Sequence, residues 1–117
     1  MTSPSRNKRD KYLIAAFRKV FRWEPVRRET LKAKQIGQKF RCASCCEFFT
    51  RKKVVVDHIN PVIDVESGWE GWDSYYSRLF CPSSNLQVLC KECHSKKSKE
   101  ENAARRKAKK SYLHRPE

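Results

Sequence analysis

Apolar positions recur at Leu13, Ala16, Phe17, Val20 and Phe21, with Arg and Lys between them, a spacing that predicts a helix from Asp10 to Arg22. Pro25 ends it and can open a second helix through Glu29, Leu31 and Ala33 towards Gln35, closed by Gly37. The period then shortens. Phe40-Arg41-Cys42 and Glu47-Phe48-Phe49 flank a short hairpin, and Lys53 to Ile59 is a β-branched run ending in the polar pair Asp57-His58, which predicts a strand. Residues 61–84 form an insertion turned at Ser67-Gly68, with a short helix over Trp72 to Phe80 that directs Trp72, Tyr76 and Leu79 inward. Leu86 to Leu89 predicts a second strand, and Cys90 to Cys93 turns into a long helix reaching about Lys110. Residues 1–8 read as a flexible basic lead and Ser111 to Glu117 as a frayed tail. Phe17, Phe21 and Trp23 could stack on bases, but at helical spacing they are assigned to the core.

At 117 residues the chain allows one domain with an arm at either end. With 34% charged residues and a mean hydropathy of -0.85 it has little apolar material to bury, and a metal staple is a common remedy at this size. The formal charge of +14 is unevenly placed: residues 1–41 hold 13 Lys/Arg against 3 Asp/Glu, residues 42–90 hold 4 against 6, and residues 91–117 hold 10 against 4. Basic flanks suit a polyphosphate, because each phosphate contact releases condensed counterions, and the acidic centre suits a divalent cation. Isolated lysine runs are usually solvated helix faces; two on so small a domain favour a nucleic acid. The polar, basic stretch from Met1 to Lys11 does not resemble a signal peptide and no apolar run is long enough to span a membrane, so the expected location is cytoplasmic.

In that compartment the paired spacings Cys42/Cys45 and Cys90/Cys93 read as zinc rather than as disulfides. Four thiolates close a tetrahedron and leave no position for a substrate water, so the zinc is expected to be structural, tying the hairpin to the start of the last helix. Cys46 is an alternative to Cys45, and His94 to Cys93. Cys81, before Pro82, reads as a small buried residue.

Three further stretches carry a resemblance: Val54 to Pro61 with its Asp57-His58 pair, Ser84 to Cys90 with Asn85, and Lys91 to Lys97 with His94. Together they resemble the HNH endonuclease family over residues 40–102, especially the cysteine-flanked nucleases of bacteriophages and mobile elements. The resemblance implies an α+β fold: a small ββα-metal (HNH, His-Me finger) domain with a four-cysteine zinc staple, preceded by a basic helical region. The implied organisation is residues 1–39 as that N-terminal region, 40–110 as the nuclease domain and 111–117 as the tail. The implied activity is hydrolysis of DNA phosphodiester bonds, by nicking or double-strand cleavage, with one divalent ion.

Within that reading, His58 and Asn85 are the expected catalytic pair. His58 is the base and Asn85 orients the His58 region through its amide. Asp57 and His94 are the expected ligands of Mg²⁺ or Mn²⁺, with Ni²⁺ also suited to a histidine ligand. In an ideal strand Asp57 and His58 point to opposite sides, so one site needs a bent or irregular strand end. Arg51, Lys52, Lys53, Lys96 and Lys97 are expected DNA contacts, and Asp64, Glu66, Glu70 and Asp73 surface charges of the insertion. Taken singly, Asp57-His58 could be an ordinary strand end and Asn85 an ordinary turn residue. The rival reading is a non-catalytic zinc module that binds nucleic acid, or an accessory subunit of a larger DNA-processing machine; a homodimer is compatible with either.

Overall fold

The computed structural model describes residues 6–113, with side chains through Lys109. Helix α1 (Lys8–Phe21) opens on a capping box: the Asn7 side chain accepts from the Asp10 N–H, and the Asp10 carboxylate accepts from the Asn7 N–H. The basic lead therefore becomes helical at Lys8, and residues 1–5 lie outside the described part. Pro25 is the first residue of α2 (Pro25–Ala33). That helix ends before the expected Gln35, because Gln35–Ile36 (β1) pairs with Lys39–Arg41 (β2), and Gly37, at φ 62°, turns this hairpin instead of closing the helix. Phe48–Thr50 (β3) completes a three-stranded antiparallel sheet, with a residue at positive φ, Cys46, in the turn between β2 and β3.

A second sheet has two antiparallel strands, Val54–His58 (β4) and Leu86–Cys90 (β5), with Val54 opposite Cys90 and His58 opposite Leu86. The insertion between them carries α3 (Trp72–Leu79), and α4 (Lys91–Leu113) follows β5 directly. β4, β5 and α4 thus form the ββα unit. Helix α4 runs past its expected end near Lys110, and the remainder of the tail, 114–117, lies outside the described residues.

Burial of apolar side chains joins the N-terminal helices to this unit. Ile14 and Phe21 of α1 pack with Trp69, Tyr75, Leu79, Cys81 and Leu86, while Leu31 of α2 packs with Phe40, Val54 and Val88. Two polar ties fix the first cluster: Trp72 Nε1 donates to Asp10 at 3.2 Å, and the Tyr75 hydroxyl donates to the Ile14 carbonyl. The inward face of α3 departs from expectation. Tyr75 is buried and Tyr76 is 60% exposed, because α3 packs beneath α1 through Tyr75 and Leu79. Trp23 likewise is 81% exposed at the joint between α1 and α2, and so leaves the core that Phe21 joins and Phe17 packs against. Cys81 is buried, as its small apolar character suggests. No helix among the described residues is long and apolar enough to cross a membrane.

Candidate functional site

The two strands β4 and β5 carry a site at each end. At the Val54/Cys90 end, the sulfurs of Cys42, Cys45, Cys90 and Cys93 all lie within 4.8 Å of one another. Thiolates about 2.3 Å from a tetrahedral zinc stand about 3.8 Å apart, so the donor set fits such an ion. Cys46 is outside the cluster, and its left-handed backbone lets the turn double back on Cys42, whose carbonyl accepts the Cys46 N–H at 3.0 Å.

The Cys42 sulfur is buried and accepts from the Cys90 N–H at 3.3 Å. Burial pushes its thiol up, but N–H groups of Cys90, Cys45 and Ser44 and the Cys45 thiol outweigh this and pull it down to about 6. Cys93 is pushed up to about 12, first by its hydrogen bond to the Cys90 side chain and then by desolvation. Four thiols therefore compete for little negative charge, which a divalent cation would let all of them carry.

At the other end, β4 keeps regular pairing through Asp57 opposite Gln87 and His58 opposite Leu86. The chain bends directly after His58, at Ile59 and Asn60, and both side chains line one cleft of about 1290 Å³, shared with Phe21, Leu79, His94 and Lys97. The cleft is wide enough to receive residues from both sides of the strand edge. The Asp57 carboxylate, 12% exposed, divides its oxygens between two kinds of neighbour. Oδ2 accepts from Gln87 Nε2 and from the Lys97 ammonium, each at 3.0 Å. Oδ1 faces His94 Nε2 at 3.6 Å. Two ligands in adjacent positions around a small divalent ion at about 2.1 Å stand about 3 Å apart, so this oxygen and nitrogen fit one ion with a small adjustment.

Successive residues on a helix are turned by about 100°, so Cys93 faces the sulfur cluster while its neighbour His94 faces Asp57. This separates the two alternatives left open for the fourth sulfur position.

The His58 ring packs against Phe21 in a tilted arrangement, with centroids 4.9 Å apart, and its Nε2 lies 2.9 Å from the Leu79 carbonyl oxygen. A carbonyl only accepts, so Nε2 carries the proton and Nδ1 is the ring's acceptor. Burial against these groups, helped by the cationic Lys97 and Arg27, lowers the ring below its ordinary range despite the Leu79 bond and the Asp57 charge. His58 is therefore neutral at pH 7.

Asn85 ends a 3-10 turn before β5. Its Oδ1 accepts from the Asn60 N–H at 2.9 Å, Nδ2 donates to the Asn60 carbonyl at 3.5 Å, and its own carbonyl accepts from the Ile59 N–H at 2.8 Å. These bonds hold the backbone immediately after His58.

The five expected DNA contacts divide. Lys97 lies in the cleft, paired with Asp57 and Glu101 and donating to the His58 carbonyl at 3.1 Å. Arg51, Lys52 and Lys53 form an exposed 3-10 turn before β4, and Lys96 is exposed on α4; none of these four lines the cleft. Of the insertion's acids, Asp64 is more than a surface charge. It accepts from the backbone of Glu66 and Ser67 and from the Ser67 hydroxyl, and lies 3.7 Å from Arg78.

Sequence reasoning missed Gln87, whose place opposite Asp57 follows from strand register. It also missed Arg18, Arg22 and Arg27 of the N-terminal helices and Arg105 of α4, all of which line the cleft. Only the helical spacing of Arg18 and Arg22 hinted at a shared face.

No family model matches the chain, and no solved structure does. The chain is similar to a protein of Lactococcus phage SK1 named as a probable HNH endonuclease, with 46% identity over 55 residues. The match takes in 47% of this chain and 51% of the phage protein, so the chain spans about half the length of that curated relative.

Proposed function

We propose that the chain is a metal-dependent HNH-type endonuclease that hydrolyses phosphodiester bonds of DNA. The observation that carries the reading is the convergence of Asp57, His58 and His94 on one cleft in a ββα unit, in a chain similar to a probable HNH endonuclease. Four-cysteine zinc is the structural staple in this reading, and Mg²⁺ or Mn²⁺ the catalytic ion.

Asp57 Oδ1 and His94 Nε2 would hold the catalytic ion, which supplies a positive centre for the scissile phosphate and the departing 3′-oxygen. His58 takes the proton of the attacking water at Nδ1, while the Leu79 carbonyl holds Nε2–H and fixes the ring. Gln87 and Lys97 hold Asp57 Oδ2, which leaves Oδ1 turned towards His94. Asn85 keeps the Ile59-Asn60 backbone in place and so the position of His58 at the strand end.

Supercoiled plasmid incubated with Mg²⁺ or Mn²⁺ tests the reading. Conversion to open-circle or linear DNA is expected, with loss in His58→Ala and on removal of the added ion. Intact plasmid from a folded protein that still retards DNA would favour a binding module instead.

A further inference from the structure

The N-terminal helices carry cations that the hydrolytic reading does not use. Arg18 and Arg22 stand four residues apart, and Arg27 lies in the first turn of α2; all three line the cleft that holds Asp57, His58 and His94. Arg18 in the last turn of α1 and Arg22 at its C-cap suit that helix end, whereas Arg27 does not suit the end it occupies. The start of a helix repels a cation, and the first turn of α2 has no acidic residue to offset Arg27. Burial, followed by the charges of Arg51 and Arg22, pulls Arg27 below its ordinary range. Among the described residues, Arg18, Arg22, Arg27 and Arg51 form no ion pair.

Arg27 is nonetheless held in place. Its Nη1 donates to the Arg22 carbonyl at 3.2 Å, and its guanidinium carbon lies 5.9 Å from the centroid of the same Phe21 ring that packs against His58. Three arginines on one wall of the cleft, none of them ion-paired among the described residues and Arg27 held one ring away from the candidate base, form an arrangement that an anion would stabilise.

We propose that Arg22 and Arg27, with Arg18 beyond them, form a subsite for a non-scissile backbone phosphate of the DNA strand in the cleft. The position of that phosphate relative to the reaction rests on the nuclease reading; its binding does not. A guanidinium held one ring from His58 lies on the same wall as the candidate base and so faces a phosphate neighbouring the one attacked. The flat fork of Arg suits paired phosphate oxygens. The N-terminal helices thereby set where the strand is presented to His58.

The test is fluorescence anisotropy of a labelled DNA duplex with the full chain, without added divalent ion, between 50 and 200 mM salt. Arg22→Gln and Arg27→Gln are each expected to weaken binding roughly five- to tenfold at about 0.1 M salt and to flatten the slope of log K against log salt by about 0.9. Arg27→Lys should keep the slope while losing part of the affinity. Lys99→Gln, on the exposed side of α4, should change binding by less than about twofold. Circular dichroism melts establish that each variant is folded. Wild-type affinity and slope in both glutamine variants would overturn the subsite, as would an equal loss in Lys99→Gln, which would indicate a diffuse field. Plasmid nicking run in parallel separates the two proposals. DNA that is never cut but is bound less tightly by the arginine variants sinks the nuclease reading alone; cleavage with unchanged binding by those variants sinks the subsite alone.

Discussion

The sulfur cluster and the Asp57–His94 pair hang from opposite ends of the same two strands, and α4 supplies a residue to each. They differ in almost every other respect. The sulfur cluster is chemically uniform, backed by Leu89, with Cys42 and Cys90 buried. The Asp57–His94 pair mixes a hard oxygen with a nitrogen, faces a wide cleft, and leaves the His94 side chain 40% exposed. A closed set of four soft donors has no position for a reactant, whereas an open pair does. In the proposed reading one end of the strand pair holds the chain together and the other meets a substrate, and α4 is the element common to both.

Breaking the closed end should have the largest effect. Cys90→Ser removes a donor that also ends β5, and binding energy at such a site is folding energy. The expected outcome is loss of the cooperative thermal transition, together with loss of about one equivalent of bound zinc by elemental analysis. A melt like that of the unaltered chain would erase the contrast between the two ends.

At the open end the effect should fall on rate and spare the fold. Asp57→Asn and His94→Ala are each expected to slow plasmid cleavage roughly a hundred- to a thousandfold, with melting temperatures within a few degrees of the parent. Unfolding by either variant would mean that this pair is structural too.

A smaller effect is expected at Asn85, which belongs to neither donor set. Asn85→Ala leaves the Asn60 N–H without its partner and should cost about 1 kcal/mol of stability in denaturant melts. Cleavage should slow by roughly tenfold as His58 loses its support. A variant with unaltered rate would show that the strand end is held by β-pairing alone.

The smallest effect concerns the cleft wall. N–H and hydroxyl groups of Ser67, then the Glu66 N–H and Arg78, hold the Asp64 carboxyl below its ordinary value of 3.8. A depressed carboxylate contributes stability that is present above its unfolded pKa and lost as pH falls through the lower folded one. Asp64→Ala should therefore lower the melting temperature by a few degrees at pH 7, with the difference shrinking in acid below about pH 4. A constant difference across pH would assign the effect to packing.

Local patterns made some of this legible. Val54 to Val56 is β-branched and became β4, Pro25 opened α2 as its fixed φ requires, and the two Cys-x-x-Cys spacings converged into one cluster. Long-range facts were hidden. Which of Tyr75 and Tyr76 faces inward depends on how α3 meets α1, and helical period alone allows either. Lys97 was expected to contact DNA, but its pairing with Asp57 needs α4 to lie along β4, a relation that no spacing encodes. The same holds for Arg22 and Arg27, which reach the cleft only because Phe21 and Leu31 anchor their helices in the two cores.

The pairing of Val54 with Cys90 also has a kinetic consequence. Contacts between residues so distant in the chain form only after the intervening insertion has closed into a loop, which slows folding relative to local structure. During synthesis, at about 5–20 residues per second, α1, α2 and the first hairpin can emerge long before His94 and Lys97 exist. A nascent or prematurely terminated chain therefore displays its basic helices without a complete cleft, and Asp57 meets His94 and Lys97 only when the last helix has been made.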